Sequence, residues 1–213
     1  MTALDAALGR CPAIAVIRAR STQRVPAIVE VLAESGVTAV ELTLTTPGAI
    51  DTLAALAGSL PAGMVLGAGT VLDAAGATAA VAAGASFLIT PAVLPAVLDQ
   101  ARRLEVPVVC GALTPTEIVT ARAAGADLVK VFPADAVGGP AYVRAVRAPL
   151  PDIPLVPTGG VAIDRAADYL RAGARAVALG GPLIGDAADD GDLGALARRA
   201  RELTDRLAEF AHD

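Results

Sequence analysis

The ten residues Ala124-Gly125-Ala126-Asp127-Leu128-Val129-Lys130-Val131-Phe132-Pro133 contain a helix end, a strand and a turn. Gly125 is suited to close a helix, because glycine readily takes the left-handed conformation found just past a helix C-terminus. Leu128–Phe132 reads as a strand: it is short and apolar, without the clean alternation of a half-exposed one. The same pattern recurs at Ser35-Gly36-Val37, Ala83-Gly84-Ala85 and Ala172-Gly173-Ala174, each followed by an apolar run. The four glycines are spaced by 48, 41 and 48 residues, about two βα units each.

Working outward, the strand candidates are Ala13–Ile17, Ala39–Leu44, Met64–Ala68, Phe87–Thr90, Val106–Cys110, Leu128–Phe132, Leu155–Pro157 and Ala176–Leu179. Amphipathic stretches alternate with them. Val25, Ile28, Val29 and Leu32 make one helical stripe, and Leu193, Leu196, Ala200, Leu203, Leu207 and Phe210 make another. Thr46-Pro47 reads as a helix start, and so does the capping box Thr114-Pro115-Thr116-Glu117. Eight βα units in 213 residues predict an α/β chain folded as a (β/α)8 barrel. The barrel is expected to span residues 1–213 as a single domain, with a short N-terminal helix. A doubly wound open sheet is the runner-up. Its glycine-rich turn after the first strand is missing, since Arg18-Ala19-Arg20-Ser21 stands there.

Composition narrows the function. Hydrophobic residues at 54% and charged residues at 18% exclude disorder. A formal charge of -5 argues against a nucleic-acid groove. The one basic cluster, Arg198-Arg199-Ala200-Arg201, is soon offset by Glu202 and Asp205. Residues 74–98 carry no charge and are long enough to cross a bilayer, yet Gly76, Gly84, Pro91 and Pro95 break them into helix, strand and helix. Asp5 and Arg10 interrupt the N-terminal stretch, so a secretory signal is not expected and a cytoplasmic location is. The lone histidine, His212, cannot supply a histidine triad or a His-rich metal site. Cys11 and Cys110 form no CxxC motif. No metal or cofactor is expected.

The basic residues comprise 16 arginines and a single lysine, Lys130. A position that keeps lysine in such a chain needs what arginine cannot do, which is to give up its proton and act as an amine nucleophile. The alternative is a structural lysine that snorkels or pairs with a carboxylate. Enclosure in a barrel among Val129, Val131 and Phe132 favours the nucleophile, since burial disfavours a charged amine. Its natural product with a ketone is a Schiff base. Glu41 lies in Val37-Thr38-Ala39-Val40-Glu41-Leu42-Thr43-Leu44, where a buried carboxylate is expensive unless paired. It reads either as an ion-pair partner of Arg18 or Lys130, or as the general acid/base that an imine needs.

The remaining candidates follow from strand ends, where barrels place their working groups. Arg18 clamps a substrate anion or partners Glu41. Thr70 offers a hydroxyl beside glycines. Thr158-Gly159-Gly160 and Gly180-Gly181 follow strands 7 and 8, where barrels commonly bind phosphate through exposed backbone N–H groups; otherwise they only make tight turns. Cys110 reads as a small core residue.

Together Gly67-Ala68-Gly69-Thr70-Val71-Leu72, Leu88-Ile89-Thr90-Pro91, Lys130-Val131-Phe132-Pro133-Ala134, Pro157-Thr158-Gly159-Gly160 and Leu179-Gly180-Gly181 resemble the 2-keto-3-deoxy-6-phosphogluconate (KDPG) aldolases, a family that includes 4-hydroxy-2-oxoglutarate (KHG) aldolase activity. The resemblance runs from Ala15-Val16-Ile17-Arg18 to the last helix. It implies a metal-free class I aldolase on a TIM barrel, usually a homotrimer, that acts on a phosphorylated 2-keto acid and releases pyruvate and glyceraldehyde 3-phosphate. It puts Lys130 at the Schiff-base position and Glu41 at the acid/base position. Thr70, Thr90 and Pro91 line the pyruvyl end, Phe132 packs beside the imine, and Gly159, Gly160 and Gly181 fall at the phosphate end. Two positions depart from the family: Thr45 replaces an arginine found in some members, where Arg18 could supply the charge, and Pro182 replaces a serine found in many. Three other readings stand beside this one. They are an aldolase for the galactonate epimer or for 4-hydroxy-2-oxoglutarate, a sugar-phosphate isomerase or epimerase without an imine, and a barrel that only binds a phosphometabolite.

Overall fold

In a closed parallel barrel one face of each strand points to the axis and the other to the surrounding helices, so both faces must be apolar. The computed structural model, which describes residues 2–212, follows this rule. The elements run α1 (Ala3–Arg10), β1 (Ala13–Ile17), α2 (Val25–Glu34), β2 (Ala39–Thr43), α3 (Ala49–Ala57), β3 (Val65–Gly69), α4 (Ala74–Ala82), β4 (Leu88–Ile89) and α5 (Pro95–Arg103). They continue with β5 (Val108–Ala112), α6 (Pro115–Ala123), β6 (Leu128–Val131), α7 (Pro140–Arg147), β7 (Leu155–Pro157), α8 (Ala166–Arg171), β8 (Val177–Leu179), α9 (Gly181–Ile184) and α10 (Leu193–Leu207). The parallel strands are ordered β7-β6-β5-β4-β3-β2-β1-β8, and a bridge between Thr158 and Ala178 joins the two ends into a barrel.

All eight expected strands form, with shifted edges. The fifth starts at Val108 rather than Val106, because Pro107 has no N–H to give a ladder. Gly36, Gly84, Gly125 and Gly173 all have φ between 84 and 98°, the left-handed turn that ends a helix and admits the next strand. The expected start at Thr46-Pro47 is corrected. Gly48, at φ 78°, is the cap of α3, and the Thr46 hydroxyl instead accepts from the Ala19 N–H at 3.2 Å. The Thr114–Glu117 capping box is present. The final stripe also divides: α10 ends at Leu207, and Phe210 follows in a 3-10 turn. The uncharged run 74–98 separates into α4, β4 and the start of α5; among the described residues no helix is long and apolar enough to cross a membrane.

Two apolar sets result. Ala13, Ala15, Ile17, Val40, Leu42, Leu66, Val129, Val131 and Leu155 face outward and pack with the buried stripes of the helices. Ile14, Ala39, Val65, Phe87, Val109, Leu128, Val156 and Ala176 fill the lower barrel, and Leu4, Ala7 and Leu8 of α1 close its floor. The Phe87 ring fits there because Gly67 has no side chain: a Cβ on Gly67 would run into the ring. The apolar filling stops midway up the barrel. Above it the inward positions of β2 and β6 are Glu41 and Lys130, two residues beyond Ala39 and Leu128.

Candidate active site

Because the side-chain period of a strand is two, Lys130 shares the inward face with Leu128, while Val129 and Val131 point the other way. The expectation that those valines surround the lysine is therefore corrected. The strand neighbours of Lys130 are Gly111 and Val156. Its Nζ lies 5.2 Å from the centroid of the Phe132 ring. Lys130 is only 7% exposed, whereas Phe132 is 40% exposed at the rim. Glu41 sits on β2, four strands from β6 in an eight-stranded barrel, so the two groups face each other across the axis.

Glu41 is 1% exposed, and neither carboxylate oxygen has a hydrogen-bond partner among the described residues. Burial pushes its carboxyl above the ordinary 4.5, and the charges of Lys130 and Arg18 oppose that shift without cancelling it. Of the two readings of Glu41, the ion pair with Arg18 or Lys130 does not form: no such contact lies within ion-pairing distance among the described residues. Arg18 instead reaches over the mouth, and its Nη2 donates to Thr70 Oγ1 at 3.3 Å. Thr70 has φ 55°, a sparsely populated conformation for a β-branched residue.

Two inward glycines that the sequence reading left without a role shape this site. A Cβ on Gly69 would overlap the Glu41 carboxylate, so the bare backbone of β3 is what lets that group lie in the mouth. A Cβ on Gly111 would strike the backbone of Pro91 and Ala92. That vacated space takes the turn after β4. Thr90, expected with Pro91 to line the pyruvyl end, is fully buried and does not reach the cavity. Its hydroxyl donates to the Ala92 carbonyl at 2.7 Å and accepts from the Gly111 N–H at 3.1 Å, which fixes Pro91 at the surface of the cavity. A signal for Gly69 was present in the sequence: Gly67 and Gly69 stand at i and i+2 on one strand face, as residues on the same side of a pleat do.

The cavity at the C-terminal end of the strands has a volume of about 490 Å³. It brings together Arg18, Glu41, Thr70, Pro91, Lys130 and Phe132 with Thr158, Gly159, Gly160, Gly180 and Gly181. Val16, Val161, Ala178, Pro182, Ile184 and Gly185 complete the wall, and of these only Pro182 attracts notice in the sequence. The Gly160 N–H finds no acceptor among the described residues, so a donor remains there for a bound group. Thr45 lies outside this cavity and donates to the Thr43 hydroxyl at 3.1 Å. Cys110 is buried in the outer core. Burial pushes the Cys11 thiol up to about 11, so it stays protonated and inert at neutral pH. No group of three or more His, Cys, Asp or Glu residues able to hold a metal occurs among the described residues.

The Gly69 contact gives a direct test. Gly69→Ala is expected to lower kcat about a hundredfold by moving the Glu41 carboxylate from its place. The φ of Gly69 is one that alanine can adopt, so the fold should persist. Steady-state kinetics with a circular-dichroism control would check this; unchanged kcat would mean that Glu41 has room to yield.

Residues 4–198 match the family model of KDPG and KHG aldolase. The chain is 40% identical over 182 residues to a 2-dehydro-3-deoxy-phosphogluconate aldolase of Pseudomonas aeruginosa, covering 84% of this chain and 82% of the relative. It is 36% identical over 183 residues to a probable 2-dehydro-3-deoxy-6-phosphogalactonate aldolase of Rhizobium meliloti, covering 85% and 86% of the two. Among solved structures, a KDPG aldolase from Legionella pneumophila, with pyruvate captured as a covalent carbinolamine intermediate, superposes with a TM-score of 0.86 at 27% identity, covering 94% of this chain and 97% of that one. A barrel whose only lysine faces a buried carboxylate across the mouth, joined to these likenesses along nearly its whole length, leaves one assignment: the chain belongs to the KDPG and KHG aldolase family.

Proposed function

We propose that this protein is a class I aldolase that cleaves 2-keto-3-deoxy-6-phosphogluconate to pyruvate and glyceraldehyde 3-phosphate. The observation that carries the reading is the placement of the chain's single lysine on the inward face of β6, opposite Glu41. The Lys130 amine attacks the C2 ketone of the substrate. Glu41, directly or through a water, moves protons as the carbinolamine loses water to give the imine. The imine then serves as an electron sink. Removal of the proton from the C4 hydroxyl breaks the C3–C4 bond, glyceraldehyde 3-phosphate leaves, and the enamine is protonated at C3. Water hydrolyses the resulting imine, releasing pyruvate and restoring the amine.

The other residues take supporting roles in this proposal. Arg18 and Thr70 hold the carboxylate, and Pro91 and Phe132 enclose the pyruvyl end. Gly159, Gly160, Gly180 and Gly181 form the backbone that receives the phosphate. The expected role of Thr158 is corrected, because its hydroxyl donates to the Val156 carbonyl at 3.1 Å and its N–H to the Val131 carbonyl at 2.9 Å, so it braces the turn instead. A neutral amine is required for the first step, and a carboxyl that burial shifts upward, towards its protonated form, suits the proton transfers. The family resemblance also supports a cytoplasmic homotrimer, and light scattering on the purified protein would read its mass.

The decisive experiment is incubation with pyruvate and sodium borohydride, followed by peptide mass spectrometry. A single pyruvate-derived adduct on the peptide carrying Lys130 is the expected result. No adduct on a folded protein would remove the Schiff base and bring forward the isomerase and binding-protein readings. One further observation favours a second substrate. Pro182 lines the cavity and has neither a hydroxyl nor an N–H to offer a phosphate, which favours turnover of the shorter 4-hydroxy-2-oxoglutarate as well. Comparing kcat/KM on both substrates and on the galactonate epimer ranks them.

A further inference from the structure

The phosphate end rests on a short piece of structure whose Leu183 and Ile184 side chains are anchored in the core. α9 is a single turn of four residues between Gly180 and Gly185, and an isolated helix that short is not stable in water. Its N-terminal side is fixed by β8. Of its C-terminal carbonyls, that of Ile184 accepts from the Ala187 N–H at 3.2 Å, and that of Leu183 has no backbone donor from the following turn among the described residues. One side chain from α10 meets them: Arg199 Nε donates to the Leu183 carbonyl at 2.7 Å, and its Nη2 donates to the Ile184 carbonyl at 2.8 Å. Leu196, Ala200, Leu203 and Leu207 lock α10 onto the core, so the guanidinium is delivered from a rigid element. Beneath Gly185 it is in close contact, since a Cβ there would lie 2.7 Å from Nη2. Ile184 and Gly185 are cavity wall. No carboxylate lies within ion-pairing distance of Arg199 among the described residues, so its charge is not neutralised locally.

We propose that Arg199 is a positioning residue for the phosphate end of the site, clamping the Leu183 and Ile184 carbonyls so that the Gly180–Gly185 turn keeps its backbone against the substrate's phosphate. The inference rests on the phosphate reading above. Arg199 does not touch substrate; it acts through the turn and through an uncompensated positive charge behind it. A lysine can supply the charge but cannot hold two carbonyls in one plane.

The test compares a readout that involves phosphate with one that does not. Arg199→Met keeps most of the side-chain stem and removes the donors. Its KM for 2-keto-3-deoxy-6-phosphogluconate is expected to rise about tenfold, from the loss of charge-assisted hydrogen bonds, with kcat changed less than about twofold. Borohydride trapping of pyruvate, which carries no phosphate, should proceed at the wild-type rate. Arg199→Lys should give an intermediate KM with the same unchanged trapping, and it decides the matter if the methionine variant does not fold. An equal loss in both readouts would show a merely structural role, and no change in either would show that the turn holds itself; both overturn the proposal. Inorganic phosphate should inhibit the wild-type protein competitively. If it does not, and the wild type shows no preference for the phosphorylated substrate, the phosphate reading itself fails and the proposal with it.

Discussion

Lys130→Ala is expected to abolish the borohydride-trapped pyruvate adduct and to lower kcat by at least about 10⁴-fold, the scale seen when a covalent nucleophile is removed. No substitute is available nearby, because Lys130 is the only lysine in the chain and the arginines stay protonated. Lys130→Arg should be equally inactive. It keeps the charge and much of the length, so it separates nucleophilic chemistry from electrostatics. The fold should survive the alanine change, because the lower barrel is filled by Ile14, Phe87, Leu128 and Val156 independently of Lys130. Trapping of either variant at the wild-type level would refute the imine mechanism at this residue.

Glu41→Gln should leave trapping detectable but slow turnover by about 10² to 10⁴-fold, the usual contribution of a positioned acid/base group. The same variant should gain stability, with a defined pH dependence. The folded protein holds the Glu41 carboxyl above its ordinary 4.5, so near neutral pH folding must either charge a buried group or take up a proton. The favourable part is fully present below 4.5 and is lost as pH rises through the raised folded value. Glutamine does not titrate. The variant's denaturation midpoint should therefore exceed the wild type's increasingly as pH rises from 4.5, and the difference should shrink below it. A wild type that is instead more stable than the variant at pH 8 would show that Glu41 is compensated in the fold. Such a gain in stability joined to a loss in rate is the mark of a group kept for chemistry rather than for folding.

Much of this site was legible in the sequence, for reasons that differ from residue to residue. Lys130 stood out by composition, since a chain that otherwise spends only arginine has to keep a lysine for something arginine cannot do. Glu41 stood out as a carboxylate in an apolar strand. The glycine pairs after β7 and β8 could be placed once eight strands had been counted. Thr90 was misplaced because the direction of one hydroxyl in a turn depends on the neighbouring strand, through its bond with Gly111. Gly69 was passed over because the atom it makes room for belongs to another strand, β2. Arg199 read as part of a basic run on a helix, and nothing local to that helix points to the carbonyls of Leu183 and Ile184.

The order of strands and helices, the glycines that end the helices and the identity of the amine were determined by the sequence alone, because these depend on spacings of two to four residues and on a count. Only the closed barrel decided that Glu41 has no partner among the described residues, that Val129 and Val131 turn away from Lys130, and that Thr90 supports Pro91 from behind. Each of these is set by atoms from strands distant in the chain, which meet only when the barrel closes and excludes water from its axis.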